Sequence, residues 1–212
     1  TLTSAGKYYT DCTQFLKLDG LQGVRIGVPR DYFWNNLTDE QKGIAESAIT
    51  KINSLGATVV DADMPTAREL AAFSSSVLSY EFKRDLDAYL SSLGPDAPVK
   101  SLADVIAFNN AHPQTALKYG QVLALASEAR DLDQDKSNYL ADRATDLRLA
   151  KDEGIDYVIN QYNLDALLFP ATTGAGIGAK AGYPSIIVPS GYLSNGSPFG
   201  ITFLGQAYTE ST

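Results

Sequence analysis

The stretch Ala181–Ala207, AGYPSIIVPSGYLSNGSPFGITFLGQA, decides the fold class. Its apolar runs, Ser185–Val188 and Ile201–Leu204, are short and β-branched or aromatic, and Gly, Pro and Asn punctuate both ends. Runs of that kind read as buried strands. Between them Asn195-Gly196 is the strongest short turn signal in the chain, because Asn and Gly tolerate the positive φ that a tight hairpin needs. Pro189 and Pro198 have no amide hydrogen to give to a ladder, so each is expected at a strand end. The stretch predicts a β-hairpin in the middle of an α/β core.

Upstream, the pattern supplies the rest of that core. Val24–Val28 reads as a strand stopped by Pro29. Thr38 opens a helix, with Gln41 completing a capping box. Ile44, Ala45, Ala48, Ile49 and Ile52 fall on one face at helical spacing, and Gly56 is placed to end the helix. Ala57–Val60 is a second strand. Strand, helix and strand at these lengths predict a βαβ unit with parallel strands. Pro65-Thr66 with Glu69 predicts another capped helix, running to about Leu93, where Gly94-Pro95-Asp96 breaks it. Ser101 with Asp104 caps a short helix through about Asn110. Further helices are expected over roughly Leu117–Ala129 and from Gln134 to Lys151 or beyond, before a buried strand at Leu164–Phe169. The fold class is therefore α/β: a mixed β-sheet core flanked by helices. Strands from both ends of the chain share the sheet, around a helical insertion of about residues 66 to 160. Residues 1–212 are read as a single α/β unit.

Composition bounds the function. The chain has 212 residues, 44% hydrophobic and 20% charged, as in an ordinary globular protein. A net charge of −8 argues against a nucleic-acid partner and against an anionic membrane surface. No apolar run approaches bilayer-spanning length. Cys12 is the sole cysteine, so neither an internal disulfide nor a cysteine-based metal site is available. The chain begins at Thr1 without a signal peptide, and sequence upstream of it is expected.

Candidate chemistry is sparse. Gly174-Ala175-Gly176-Ile177-Gly178-Ala179 follows a strand and superficially matches a dinucleotide-binding loop. Gly182 and Pro184 come within a few residues, so a flexible loop is expected in place of the helix such a loop must open. His112, the sole histidine, precedes Pro113 at an expected helix end, where it can cap. No G-x-S-x-G elbow accompanies it. Ser74-Ser75-Ser76 resembles a nucleophile cluster but lies in a helical pattern, which makes it a polar helix side. Asp61 and Asp63 lack a third metal ligand, and Cys12 has no base near it, so a buried or inert thiol is expected. No metal and no cofactor are expected, and no residue is assigned as catalytic.

Several blocks, in order, resemble the C-terminal portion of the amidase signature family. They are Gly20–Val28 (GLQGVRIGV), Gly56–Val60 (GATVV), Tyr80–Lys83 (YEFK), Ser101–Asn109 (SLADVIAFN) and Tyr119–Gln121 (YGQ). Gly154-Ile155-Asp156 and Leu164–Leu167 (LDAL) then lead into Ala181–Ser185, Val188-Pro189 and Gly191. The match covers nearly all of the chain, and it looks most like the peptide amidase branch, which removes the C-terminal amide of peptides. The linker Thr173–Ala181 looks shorter than in peptide amidases. The glutamine-gripping arginine of tRNA-dependent amidotransferase subunits has no clear counterpart around Leu117–Gln121.

The resemblance implies hydrolysis of carboxylic or peptide amides, with release of ammonia, by a Lys–Ser–Ser triad and an oxyanion hole in a Gly-Ser-rich loop. In the family these groups lie N-terminal to the matched region, and no Gly-Gly-Ser-Ser-Gly-Gly run occurs in this sequence. The expectation is a C-terminal portion of an amidase-type hydrolase, inactive alone. Its implied partners are a small amide or peptide-amide substrate and the missing N-terminal half. Loops after the C-terminal ends of strands frame such sites, which makes Thr172, Thr173 and Tyr183 the candidate substrate-binding residues. The alternative is a non-catalytic binding or scaffold module derived from an amidase, for which no exposed sheet edge is expected.

Overall fold

The computed structural model describes residues 4–211, and the chain divides into two compact units. Ser74–Thr145 forms one, and the chain on either side of it forms the other.

The flanking segments build a mixed five-stranded sheet. β1 (Arg25–Val28) and β2 (Thr58–Asp61) pair in parallel, with Arg25 opposite Thr58 and Val28 opposite Asp61. Between them run a short helix α1 (Arg30–Phe33) and the longer α2 (Asp39–Ser54), so the expected βαβ unit is present. The Thr38 box closes as read: Gln41 N–H donates to Thr38 Oγ1 at 3.2 Å, and Thr38 N–H donates to Gln41 Oε1 at 2.9 Å. Ala45, Ile49 and Ile52 are the buried face of α2.

β3 (Ala166–Pro170) pairs parallel to β1 on its other side. β5 (Pro198–Leu204) then runs antiparallel to β3, and β4 (Ser185–Tyr192) antiparallel to β5. The order is β2-β1-β3-β5-β4. The hairpin is therefore at the end of the sheet, with β4 outermost, and not in its middle. Its turn forms at Asn195-Gly196, where Ser197 N–H donates to Asn195 Oδ1 at 2.9 Å and Gly196 N–H to the Leu193 carbonyl at 2.8 Å. Pro198 begins β5 as expected. Pro189 lies inside β4, where an outer strand with a bulge between Pro189 and Gly191 tolerates the missing donor.

Period-two alternation along β3 covers both faces of the sheet. Leu167 and Phe169 enter one apolar cluster with Leu149, Ile155, Ile177 and Leu204. Leu168 enters the other with Ile26, Val28, Trp34, Ile49 and Ile201. Burying each such side chain contributes about 1.5–3 kcal/mol.

The helix expected from Thr66 to about Leu93 is two helices, α3 (Ala67–Ala72) and α4 (Val77–Ser92). The box at Thr66 does not close because both of its polar members are taken elsewhere. Thr66 Oγ1 donates to the Leu149 carbonyl at 2.7 Å, and Glu69 pairs with Arg148 at 2.9 Å. Phe73 leaves α3 in extended geometry and packs on the core, which breaks the helix.

In the other unit, α5 (Leu102–Ala111) starts from Ser101, whose Oγ accepts from Asp104 N–H at 3.1 Å. A one-turn helix α6 (Pro113–Ala116) precedes α7 (Val122–Glu128). α7 starts later than expected: Gln121 bridges Asn109 and Asn110 through its side chain at 3.1 and 2.8 Å. Tyr80 stacks on Tyr139 at 4.2 Å, and Lys83 Nζ donates to the carbonyls of Glu128 and Arg130.

α8 (Lys136–Leu147) continues into a π-helical segment, Arg148–Asp156, and then α9 (Tyr157–Tyr162). After β3 comes α10 (Ala175–Ala181), so the glycine-rich run expected to be a flexible loop is a helix. Gly182 ends it at φ +75°, in the left-handed conformation that glycine adopts without strain. No helix among the described residues is long and apolar enough to cross a membrane.

Candidate functional site

Parallel pairing puts the C-terminal ends of β1, β2 and β3 along one edge of the sheet, and the β4–β5 turn lies at the same edge. Thr172 and Thr173 sit there, in the turn from β3 to α10, and both are exposed. The turn is held firmly. Thr173 Oγ1 donates to the Pro170 carbonyl at 2.8 Å, Ala171 N–H to Gly200 at 2.9 Å, and Thr202 Oγ1 to the Ala171 carbonyl at 2.5 Å. At the C-terminal ends of β1 and β2, Arg30 pairs with Glu46 at 2.5 Å and Asp61 at 2.6 Å and lies over the Trp34 ring. Burial works against the guanidinium charge, but the two carboxylates outweigh it and hold the Arg30 pKa above its ordinary value.

Tyr183 lies at the opposite edge, because it precedes β4 and β4 runs parallel to β3. Its hydroxyl is 2.9 Å from each oxygen of Asp156, and Gln206 Nε2 donates to Asp156 Oδ1 at 2.8 Å. Burial first, and then the facing carboxylate, push the Tyr183 pKa far above 10. The phenol is thus a committed hydrogen-bond donor. At this edge a mostly apolar cavity of about 360 Å³ is lined by Cys12, Ser185, Ile186, Phe203 and Glu210 among others. Cys12 is exposed, not buried: it precedes a single turn of 3-10 helix (Thr13–Phe15) in the polar entry segment, where no core forms to cover it.

The remaining sequence candidates have structural partners. His112 ends α5, with Nδ1 2.9 Å from the Phe108 carbonyl and its ring stacked on Phe108. Asp61 binds Arg30, and Asp63 accepts from Asp31 N–H at 2.8 Å. Among the described residues no group of three or more His, Cys, Asp or Glu side chains could hold a metal ion.

Ser74-Ser75-Ser76 is not a helix side. The three serines form the break before α4, and with Arg130, Asn138 and Asp142 they line a polar cavity of about 330 Å³. Ser76 N–H donates to Asp142 Oδ2 at 2.8 Å, and Val77 N–H to Ser75 Oγ at 3.2 Å. A run of serines was the available signal, since their side chains compete for backbone hydrogen bonds and favour helix ends. Nothing in the sequence announces Arg130, Asn138 or Asp142 as its partners, and the same holds for Asp156 and Gln206 around Tyr183.

The Amidase family model matches residues 7–212. The chain belongs to the Amidase family. It is 32% identical to a protein of Arabidopsis thaliana described as a probable amidase, over 93% of this chain and 37% of that protein. Its fold superposes on the peptide amidase from Stenotrophomonas maltophilia with a TM-score of 0.84 at 34% identity, covering 95% of this chain and 43% of that one. An amidase family protein from Bacillus anthracis gives a TM-score of 0.81 at 31% identity, with 100% of this chain and 40% of that chain covered. The chain thus spans well under half the length of these relatives. The mixed sheet with flanking helices is that of amidase-signature structures, peptide amidase among them.

Proposed function

We propose that this chain forms the C-terminal portion of an amidase-type hydrolase that cleaves carboxylic or peptide amides with release of ammonia. The Lys–Ser–Ser triad and oxyanion hole of that enzyme would come from polypeptide N-terminal to the matched region. The observation that carries the reading is the outer edge of β4. Its sequence SIIVPSGY has no charged residue, and Ile186, Ile187 and Tyr192 are 64%, 49% and 76% exposed. Among the described residues β4 pairs only with β5. Free-standing sheets blunt such edges with charge or cover them, and among the described residues Pro189 and its bulge are the guards within β4. An uncovered apolar edge of this kind favours a missing packing partner over a self-contained binding module. The family match, which covers 37–43% of the relatives' lengths, agrees.

In this reading the chain contributes sheet strands and substrate-facing wall, and the upstream half contributes the chemistry. A lysine kept neutral by partial burial takes the nucleophilic serine's proton, and fixed backbone amides meet the developing oxyanion. Thr172 and Thr173 are the proposed substrate contacts at one edge of the sheet. Tyr183 lies at the opposite edge with its ring packed on the core and its hydroxyl held by Asp156, so in this reading it supports the fold and does not share that contact. The test is ammonia release from a C-terminally amidated dipeptide by the full gene product and by the 212-residue chain. Turnover by the longer protein and none by the chain is expected. Turnover by the chain alone, or a gene product lacking the lysine and Gly-Ser-rich loop, overturns the proposal.

A further inference from the structure

We propose that Asn195 is a site of spontaneous modification, deamidation through a cyclic imide, and that Glu40 of α2 governs its rate. Asn195-Gly196 is the sole Asn-Gly pair in the chain. It forms the tip of the β4–β5 turn, where both residues are exposed. Beyond the adjoining residues, no atom lies within 4 Å of the position a Gly196 Cβ would take. Without a Cβ of its own, Gly196 leaves its backbone nitrogen open to the Asn195 side chain.

The reaction needs only water. The Gly196 nitrogen bonds to Asn195 Cγ, the Cγ–Nδ2 bond breaks, and Nδ2 leaves as ammonia with the proton that the Gly196 amide gives up. Water then opens the imide ring at either carbonyl, leaving aspartate or isoaspartate. The net change is a carboxamide and a water exchanged for a carboxylate and an ammonium ion. Ser197 N–H donates to Asn195 Oδ1 at 2.9 Å, which polarises the carbonyl under attack. Isoaspartate adds a methylene to the backbone, and the register of a hairpin is fixed by its turn, so the product disturbs the pairing of β4 with β5.

The same turn restrains the reaction. Gly196 N–H donates to the Leu193 carbonyl at 2.8 Å, and Leu193 N–H to the Ser197 carbonyl at 2.8 Å, so the attacking nitrogen is held while the turn is closed. Closure is secured from a distant element: Glu40 accepts from Ser194 N–H at 2.6 Å and from Ser194 Oγ at 3.3 Å. Attack waits on local opening, and opening must break the hold of Glu40.

The full gene product, incubated at mildly alkaline pH in heavy-oxygen water and mapped by mass spectrometry, tests this. The amide-to-acid mass gain, with heavy oxygen incorporated, should appear at Asn195, and isoaspartyl methyltransferase should label part of it. Glu40→Ala should speed the conversion about fivefold, the effect of losing one hydrogen bond that keeps the turn shut. Gly27→Ala, which destabilises the core without touching the turn, should leave the rate unchanged. Asn195 intact in both the parent and Glu40→Ala overturns the proposal. A rate unmoved by Glu40→Ala, or raised equally by Gly27→Ala, overturns the role of Glu40.

Discussion

Gly27→Ala tests the packing at the centre of the sheet. Gly27 lies on β1, between β2 and β3. A methyl group there would collide with Leu164 Cδ1 and come within 3.0 Å of Leu167 Cδ2 and 3.1 Å of Ala62 Cβ. Leu167 and Ala62 are fully buried and Leu164 is 7% exposed, so the neighbours have no solvent to move into. Overpacking of that kind costs about 1–3 kcal/mol. Gly43→Ala is the control, because a methyl group at that exposed position in α2 meets nothing within 4 Å. It should stabilise by about 0.5–1 kcal/mol through helix propensity alone. Trp34, the single tryptophan, is buried in the cluster that contains Ile26 and Val28, so its fluorescence reports on this unit directly. With m of about 2 kcal/mol per molar in urea, the Gly27→Ala midpoint should fall by roughly 0.5–1.5 M at unchanged m. A variant as stable as the parent would refute the close approach of β1 to the Leu164–Leu167 layer.

Three further outcomes follow from named contacts. Thr38→Ala removes the oxygen that accepts from Gln41 N–H and should cost about 1 kcal/mol by urea denaturation; no change would mean that the box contributes nothing. Tyr183 keeps its proton in the folded state well above 10.0, while the unfolded chain releases it near that pH. Its stabilisation is therefore complete below pH 10 and declines as pH rises from there through the higher folded value. Tyr183→Phe should flatten that alkaline decline, and an unchanged slope in pH-dependent melting would dissociate Tyr183 from it. In sedimentation, the isolated chain should self-associate through β4, and Ile187→Lys should reduce that association, since a charged edge resists strand pairing. Equal association of both forms would place the contact elsewhere.

What was legible in the sequence was local. The Thr38–Gln41 box, the Ser101 cap, the Asn195-Gly196 turn and the βαβ spacing depend on residues a few positions apart, and each formed. What failed depended on distant partners. Thr66 and Glu69 have the same box pattern as Thr38 and Gln41, but Leu149 and Arg148 take their side chains, and no local rule names residues so far away. The Gly174–Ala179 run formed a helix because its small residues lie against the core, with Ile177, Gly178 and Ala181 buried. The place of β4 at the end of the sheet was not visible, because its apolar sequence is that of a covered strand. That mismatch between pattern and exposure is the observation on which the proposed function rests. Around Tyr183 and Ser76 the polar partners come from segments tens of residues away, so only the folded chain reveals them.

Reconstitution tests the central claim most directly. The polypeptide encoded upstream of Thr1 and this chain would be produced as separate molecules, and ammonia release from an amidated dipeptide measured for each alone and for the two folded together. The account predicts that each is inert alone, that activity appears on combination, and that replacing the upstream lysine abolishes it. Full activity from either molecule alone would contradict it.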